Sequence, residues 1–247
     1  MKKPQLVIAS TGAANLASVV AMCERTGVEP VITKDPGLVA RAERLLLPGV
    51  GAFGAAMESL AANSLDKVLA SRIEKKQPTM GICLGMQLFC ESSHEAPGVA
   101  GIGAIPVGVE RFSPGLPLPQ LGWNKVQPGD GQDFIEAGWA YFANSYRIAQ
   151  VPEGYSCAFS CYGERFIAAL TAGPDPSRGI PAILLCQFHP ELSGAWGQRL
   201  FMRWMGLTAS SAEEAAREFA RRPAEYPSPV ATSRGTALRI LPCLDIK

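Results

Sequence analysis

Short apolar runs alternate with helical patterns along about the first ninety residues. Four runs have the length and composition of buried strands: residues 5–10, 30–33, 44–47 and 78–83. Apolar side chains recur at helical spacing in four further segments: residues 15–25, 53–62, 65–76 and 84–91. This alternation predicts an α/β fold, a mostly parallel sheet flanked by helices.

The middle of the chain has a different pattern. Glycine, proline, aromatic and β-branched residues are frequent between Gly101 and Ala172. Four segments there are typical of strands: residues 104–110, 139–146, 155–161 and 166–171. A buried strand at 181–188 and a closing helix at 196–205 follow. We therefore expect an antiparallel β addition to the parallel sheet.

Composition divides the chain into three parts. Residues 1–207 carry the strand and helix patterns and are predicted to form one domain. Residues 208–222 are rich in alanine and charge, with Ser211 and Glu214 in capping-box register, and predict a C-terminal helix. Residues 223–247 combine a proline-containing linker with a final strand-like run.

Charge and cysteine content exclude several classes of function. A net charge of +1 gives no basic excess for nucleic acid, and no run approaches the ~20 apolar residues of a membrane span. Seven cysteines, an odd number, do not predict a disulfide framework, and no set with the spacing of a zinc site is present. We expect a cytoplasmic protein without metal, whose thiols are mostly buried.

A cysteine is the first chemical candidate. The sequence GICLG at residues 81–85 follows a predicted strand and opens a predicted helix, in the pattern of a nucleophile elbow. Its glycines allow a strained turn, the helix dipole favours a thiolate, and the Leu84 N–H would face an oxyanion at Cys83. A structural cysteine explains the motif equally well, but the polar Gln87 in the first helical turn favours the functional interpretation.

Two histidines are candidates for the base. His94 lies in a polar stretch and is interpreted as a solvated loop residue. His189 follows an apolar run, at the strand end where open α/β sheets place their sites. A histidine near a strand end is more often structural, but His189 is the remaining partner for Cys83, and Glu191 can orient its ring.

Five segments carry a resemblance to a known family. GICLGMQ at 81–87 with QFHPE at 187–191 resembles the class I (triad) glutamine amidotransferases. Within that family, LPGVGAFG at 47–54, LGWN at 121–124 and YFANSY at 141–146 are similar to the glutaminase subunits of imidazole glycerol phosphate synthases. The resemblance extends from about Val7 to about Gly206.

The resemblance implies a role for each matching residue. Cys83 attacks the amide of L-glutamine, His189 transfers the proton, and Glu191 orients His189. The residues implied in the oxyanion loop and in substrate binding are Gly49, Val50, Gly51, Gln87, Ser145 and Tyr146. A cysteinyl thioester is hydrolysed to glutamate without a cofactor. Ammonia passes to a heterodimeric partner, a (β/α)8-barrel cyclase that makes imidazole glycerol phosphate in histidine biosynthesis.

Some positions depart from the family pattern. Gln120 and Asn144 stand where histidine is common, Leu192 stands where lysine is usual, and residues 10–15 replace a more glycine-rich loop. These departures are expected to affect coupling to the cyclase more than the chemistry.

The end of the chain resembles a different protein. Residues 239–247 are similar to the opening strand of the cyclase, with Asp245 at the position of a catalytic acid/base. One strand cannot form a barrel, so Asp245 is expected to have no cyclase role here.

Three alternative functions stay open at this point. A glutaminase of another branch is disfavoured by the segments at 47–54 and 121–124. A non-catalytic regulatory module is disfavoured by the intact candidate triad. A cysteine peptidase is disfavoured by the glutamine-side residues Gln87, Ser145 and Tyr146.

We expect a chain truncated after Arg221 to keep its glutamine-dependent turnover with a separately supplied cyclase. The family resemblance ends well before this point, and the prolines and small polar residues of 223–235 offer little apolar surface to bury. Turnover and solubility of both chains test this. A large loss of turnover would show that the tail docks on the domain or holds the cyclase.

Overall fold

The computed structural model describes residues 3–11, 16–175 and 179–208. Its elements, in chain order, are β1 (Gln5–Ala9), α1 (Ala17–Arg25), β2 (Glu29–Thr33), α2 (Pro36–Arg41), β3 (Leu45–Leu47), α3 (Phe53–Ala62), α4 (Leu65–Glu74), β4 (Thr79–Ile82), α5 (Leu84–Gln87), β5 (Cys90–Ser93), β6 (Ile105–Arg111), β7 (Gln120–Pro128), β8 (Gly138–Asn144), β9 (Tyr146–Arg147), β10 (Ser156–Tyr162), β11 (Glu164–Pro174), β12 (Pro181–Cys186) and α6 (Gly194–Met205). The helix predicted over 208–222 and the linker predicted over 223–247 lie outside the described residues, apart from Thr208.

One nine-stranded sheet organises the fold, in the order β2-β1-β3-β4-β12-β11-β10-β7-β8. The pairings from β2 through β12 are parallel, and those from β12 through β8 are antiparallel. A smaller sheet has the order β5-β6-β9. The predicted α/β fold with an antiparallel addition is therefore confirmed.

The core lies on both faces of the parallel strands. In β1, Leu6 and Ile8 pack into a cluster with α1 and α6, whereas Val7 and Ala9 pack into a second cluster with α3 and α4. Because both faces are covered, the strand is a continuous apolar run rather than an alternating one.

The helix predicted over 84–91 is wrong in its second half. It ends at Gln87, and Cys90–Ser93 forms β5, which pairs with β6. Gly101 lies so close to this strand that a Cβ on it would collide with the Cys90 carbonyl oxygen. Pairing with a distant segment, rather than local helical periodicity, decides the conformation here.

Helix α2 and strand β7 were not predicted. The sequence does carry a signal for α2, because the Asp35 side chain accepts a 2.9 Å hydrogen bond from the Leu38 N–H and Pro36 occupies the first turn. Burial alternates regularly along β7, but apolar character does not follow it. Gln120 is buried, whereas Leu121 and Trp123 are exposed.

A buried arginine ties α4 to α2 and β4. Arg72 is 1% exposed, and its guanidinium donates to the carbonyl oxygens of Val39, Ala42 and Pro78 at 3.1, 3.0 and 2.7 Å. Burial lowers the pKa of Arg72 to about 10. The cation therefore stabilises the fold through backbone acceptors that would otherwise lack a donor.

We expect Arg72→Met to lower the free energy of unfolding by about 2–4 kcal/mol, because it leaves several buried carbonyl groups unpaired. Arg41→Met is the control, since Arg41 is exposed on the neighbouring helix and its loss should cost less than about 0.5 kcal/mol. Urea unfolding of the three proteins measures both values. Equal midpoints for the two variants would contradict the assigned role.

Candidate active site

Three neighbouring parallel strands end at the candidate site. In the order β3-β4-β12, their carboxyl ends lead into Gly49, Cys83 and His189. Sheet pairing aligns these ends, because Leu47 and Leu185 are both register partners of Gly81. Segments far apart in sequence are thereby brought to one sheet edge, where open α/β folds bind ligands.

The turn at Cys83 has the strain predicted from the sequence. Cys83 adopts φ 51° and ψ −111°, a conformation that non-glycine residues rarely occupy. A Cβ on Gly85 would collide with the Leu47 carbonyl oxygen, and one on Gly81 would lie 2.8 Å from the Leu185 side chain. Close packing against backbone requires glycine at 85, whereas a side chain at 81 would have to displace Leu185.

The helix after Cys83 is shorter than predicted. Helix α5 comprises only four residues, a single turn, whose first residue is Leu84. A helix dipole grows with the number of aligned peptide units, so one turn supports a thiolate less than the expected longer helix would. Side chains around the sulfur therefore matter more than the sequence suggested.

His189 and Glu191 form the hydrogen bond expected of a triad. The Nδ1 atom of His189 lies 2.8 Å from Oε1 of Glu191, and both side chains are 6% exposed. Cys83 also acts on the ring, since its charge and a side-chain hydrogen bond both raise the pKa of His189. Since Nδ1 faces Glu191, the ring nitrogen toward Cys83 is Nε2.

The charges of Glu191 and Cys83 favour the protonated form of His189. Burial by itself lowers the pKa of the ring, but the charge of Glu191, the charge of Cys83 and hydrogen bonds to both outweigh it. The pKa of His189 is consequently held well above its usual value. An imidazolium between a sulfur and a carboxylate is the arrangement that cysteine nucleophiles use.

Ser193 supports this histidine and was not predicted from the sequence. Its hydroxyl donates to the His189 carbonyl oxygen at 2.6 Å and accepts from the Tyr141 N–H at 2.9 Å. The His189 N–H donates in turn to the Tyr141 carbonyl oxygen at 2.9 Å. These bonds fix the segment carrying His189 against β8. The sequence offered one signal for this role, the position of Ser193 two residues after Glu191.

The end of β8 forms the other wall of the site. The Cys83 sulfur lies 3.8 Å from the Ala143 carbonyl oxygen, and Ser145 and Tyr146 follow within three residues. Gln87 donates to the Tyr146 carbonyl oxygen at 3.1 Å. The structure thus brings Gln87 and Tyr146 together beside Cys83, with Tyr146 contributing its backbone.

The segment after β3 packs directly on the elbow. A Cβ on Gly49 would collide with the backbone nitrogen of Gly85, so the two chains touch at their backbones. Val50 follows, half-buried, and Gly51 has φ 115°, which favours glycine. The predicted oxyanion-loop residues therefore adjoin the nucleophile turn.

Two departures from the family pattern meet in space. Gln120 and Asn144 are register partners on β7 and β8, and both are buried, at 3% and 5% exposure. Two buried amides are thus opposite each other at this end of the strand pair. Leu192 lies in the 3₁₀ turn that follows His189.

The expectation that the thiols are mostly buried holds for five of the six described cysteines. Cys161 is the exception and is exposed on β10. Burial raises the pKa of Cys23 and of Cys90 to about 12 and that of Cys157 to about 11.

The sequence profile of the family described as glutamine amidotransferase class-I matches residues 18–204. The chain belongs to this family. Curated relatives named imidazole glycerol phosphate synthase subunit HisH include that of Escherichia coli K12, which is 39% identical over 207 residues, or 82% of this chain and 99% of the relative. The HisH protein of Symbiobacterium thermophilum is 37% identical over 205 residues, or 81% and 92%.

Solved structures show the same fold at low sequence identity. A crystal structure titled glutamine amidotransferase has a TM-score of 0.64 at 17% identity and covers 81% of this chain and 99% of its own. PurLQS from Thermotoga maritima has a TM-score of 0.61 at 16% identity and covers 89% and 100%. Across the residues that the structure describes, no helix has the length and apolar character to cross a membrane.

We expect Glu191→Gln to lower the pKa of His189. The substitution removes a charge that raises this pKa and leaves the burial that lowers it. The chain has two histidines, so NMR titration of the ring signals resolves both, with the exposed His94 as internal control. An unchanged His189 titration would show that the carboxylate does not set its protonation in solution.

Proposed function

We propose that this chain is the glutaminase subunit of an imidazole glycerol phosphate synthase. It hydrolyses L-glutamine to glutamate and ammonia through a cysteinyl thioester, and it supplies the ammonia to a cyclase partner in histidine biosynthesis. The observation that carries the proposal is the alignment of Cys83, His189 and Glu191 at the ends of adjacent strands. The relatives named HisH support the branch and the pathway.

The first half of the reaction forms the thioester. The Cys83 thiolate attacks the side-chain amide carbon of glutamine, and the negative charge moves to the amide oxygen. Backbone N–H groups of the Gly49–Gly51 segment and of Leu84 stabilise this oxyanion. The His189 imidazolium donates its Nε2 proton to the amide nitrogen, the C–N bond breaks, and ammonia leaves.

The second half restores the enzyme. Neutral His189 takes a proton from water, and the resulting hydroxide attacks the thioester carbon. The C–S bond breaks with its electron pair remaining on sulfur, and glutamate leaves. Glu191 holds the ring orientation through both proton transfers, because its carboxylate accepts from Nδ1 throughout.

The closed site suits a small substrate. Cys83 is 8% exposed and His189 5% exposed, which leaves little space for a polypeptide at the sulfur. In this proposal glutamine binds on the side of Cys83 that is formed by Gln87, Ser145 and Tyr146. These features favour a glutaminase over a cysteine peptidase.

An exposed apolar strip beside the site supports the partner assignment. Leu121, Trp123 and Trp139 are 49%, 54% and 58% exposed. Leu121, Trp123 and Lys125 alternate along β7 and therefore point to the same face. Trp139 is the register partner of Lys125 on β8, so it points to that face as well. Large exposed aromatic residues on one face mark a docking surface.

Docking at this strip places the partner next to the catalytic histidine. The backbone of Tyr141, on the same strand pair, bonds to that of His189. The proposal therefore includes a heterodimer with a (β/α)8-barrel cyclase and a cytoplasmic location. It also assigns residues 1–207 to the glutaminase domain, 208–222 to a C-terminal helix and 223–247 to a linker with a cyclase-like strand.

We expect Cys83→Ala to reduce glutamine-dependent synthesis by at least about 10⁴-fold, because the nucleophile is removed. Synthesis from added ammonium salts with the cyclase should be unchanged. Cys161→Ala is the matched control, since this exposed thiol lies outside the site. Loss of both activities in Cys83→Ala would indicate a structural cysteine, and retained glutaminase activity would exclude the proposed nucleophile.

A further inference from the structure

Gln187 is a buried amide at the site for which sequence reasoning gave no role. It lies between β12 and His189 and is 0% exposed. Its Nε2 atom lies 3.7 Å from the Cys83 sulfur and donates a hydrogen bond to it. The sulfur therefore has an uncharged N–H donor from Gln187 besides its electrostatic interaction with His189.

The orientation of the Gln187 amide is fixed by its neighbours. Its Oε1 accepts a 2.9 Å hydrogen bond from Nε2 of Gln87, which also donates to the Tyr146 carbonyl oxygen at 3.1 Å. An amide NH₂ group can only donate, so Gln187 must turn its oxygen toward Gln87 and its own NH₂ toward the sulfur. The Gln187 backbone N–H is anchored to the Ala168 carbonyl oxygen at 2.8 Å.

The Gln187 N–H group compensates for the desolvation of a buried thiolate at Cys83. A thiolate loses hydration when it is buried, and a nearby N–H group restores part of that stabilisation. Helix α5 is too short to supply much of it. Hydrogen bonds to an ionised acceptor are roughly twice as strong as neutral ones, so this contact favours the thiolate over the thiol.

We propose that Gln187 is a catalytic residue whose side-chain N–H stabilises the Cys83 thiolate, in an orientation that Gln87 imposes. This inference rests on the proposed role of Cys83 as the nucleophile. The contact acts in both halves of the reaction. It stabilises the attacking thiolate, weakens while the sulfur is neutral in the thioester, and strengthens again as the thiolate leaves during hydrolysis.

The inference also gives Gln87 a second function. Both hydrogens of its amide are used within the protein, on Gln187 and on the Tyr146 backbone. Asn144 donates to the same carbonyl oxygen at 2.9 Å. Gln87 is therefore a positioning residue for Gln187 as well as a candidate contact for substrate.

The test measures the reactivity of the Cys83 thiol directly, in the full chain. Iodoacetamide alkylates thiolates, and peptide mapping separates Cys83 from the exposed Cys161. The variants are Gln187→Leu, which removes the donor, and Gln187→Glu, which keeps the volume and the acceptor for Gln87 but turns an anion toward the sulfur. The rate at Cys83 is followed from pH 5 to pH 10.

We expect Gln187→Leu to slow Cys83 alkylation at neutral pH by about tenfold, with the midpoint of the pH profile about one unit higher. Gln187→Glu should have a larger effect in the same direction. At high pH, where the thiol is fully ionised, the rates should converge with the wild-type rate. His189, backed by Glu191, is the titratable group whose pKa this sulfur affects, so Glu191→Gln provides a profile in which the Gln187 donor is intact and the histidine partner is altered.

Gln132→Leu is the matched control. Gln132 is also a buried amide, but it bonds to the Thr171 hydroxyl and to backbone N–H groups after β7. Its loss should leave the Cys83 profile unchanged whatever it does to stability. If Gln187→Leu fails to fold, Gln187→Glu still tests the inference, because it preserves the bond to Gln87 and an unchanged Cys83 profile in it would overturn the proposed contact.

An alkylation profile that is unchanged in the folded Gln187 variants would overturn the inference and leave Gln187 as a packing residue. This outcome is distinct from failure of the proposed function. Alkylation reports on the thiol without glutamine, whereas the glutaminase assay of Cys83→Ala reports on the reaction.

Discussion

The site depends on the contact between the chain after β3 and the turn at Cys83. Neither Gly49 nor Gly85 has room for a Cβ, because each would collide with the other segment's backbone. This packing holds Cys83 at a positive φ that its side chain disfavours, so the strain is maintained by the surrounding sheet. It also places Gly49 against the backbone of the residues on both sides of Cys83.

Burial then determines the electrostatics. Cys83, His189 and Glu191 are largely removed from water, so each ionic form needs a partner inside the protein. Glu191 supports the imidazolium, and the imidazolium supports the thiolate. Gln187 offers the sulfur a neutral donor, which adds stabilisation without adding a charge that would have to be buried.

The antiparallel strands serve the site on one side and the surface on the other. Strand β8 is at the far edge of the sheet, yet Tyr141 bonds to His189 and Phe142 packs 5.8 Å from Phe188. The sheet therefore curls back toward β12. The outer face of the same strand pair carries Trp123 and Trp139. The proposed docking surface and the wall of the candidate site are therefore the two faces of one layer of strands.

Sequence alone determined the parallel α/β layout, the elbow at Cys83 and the pairing of His189 with Glu191, because these depend on local periodicity, glycine spacing and residue chemistry. It failed at β5, where pairing with β6 overrides the helical pattern, and at Gln187, whose role depends on the Gln87 amide 100 residues away. The sequence also did not show that Gln120 and Asn144 are register partners. Tertiary structure alone decides such features, because strand pairing and amide orientation join residues that no spacing along the chain relates.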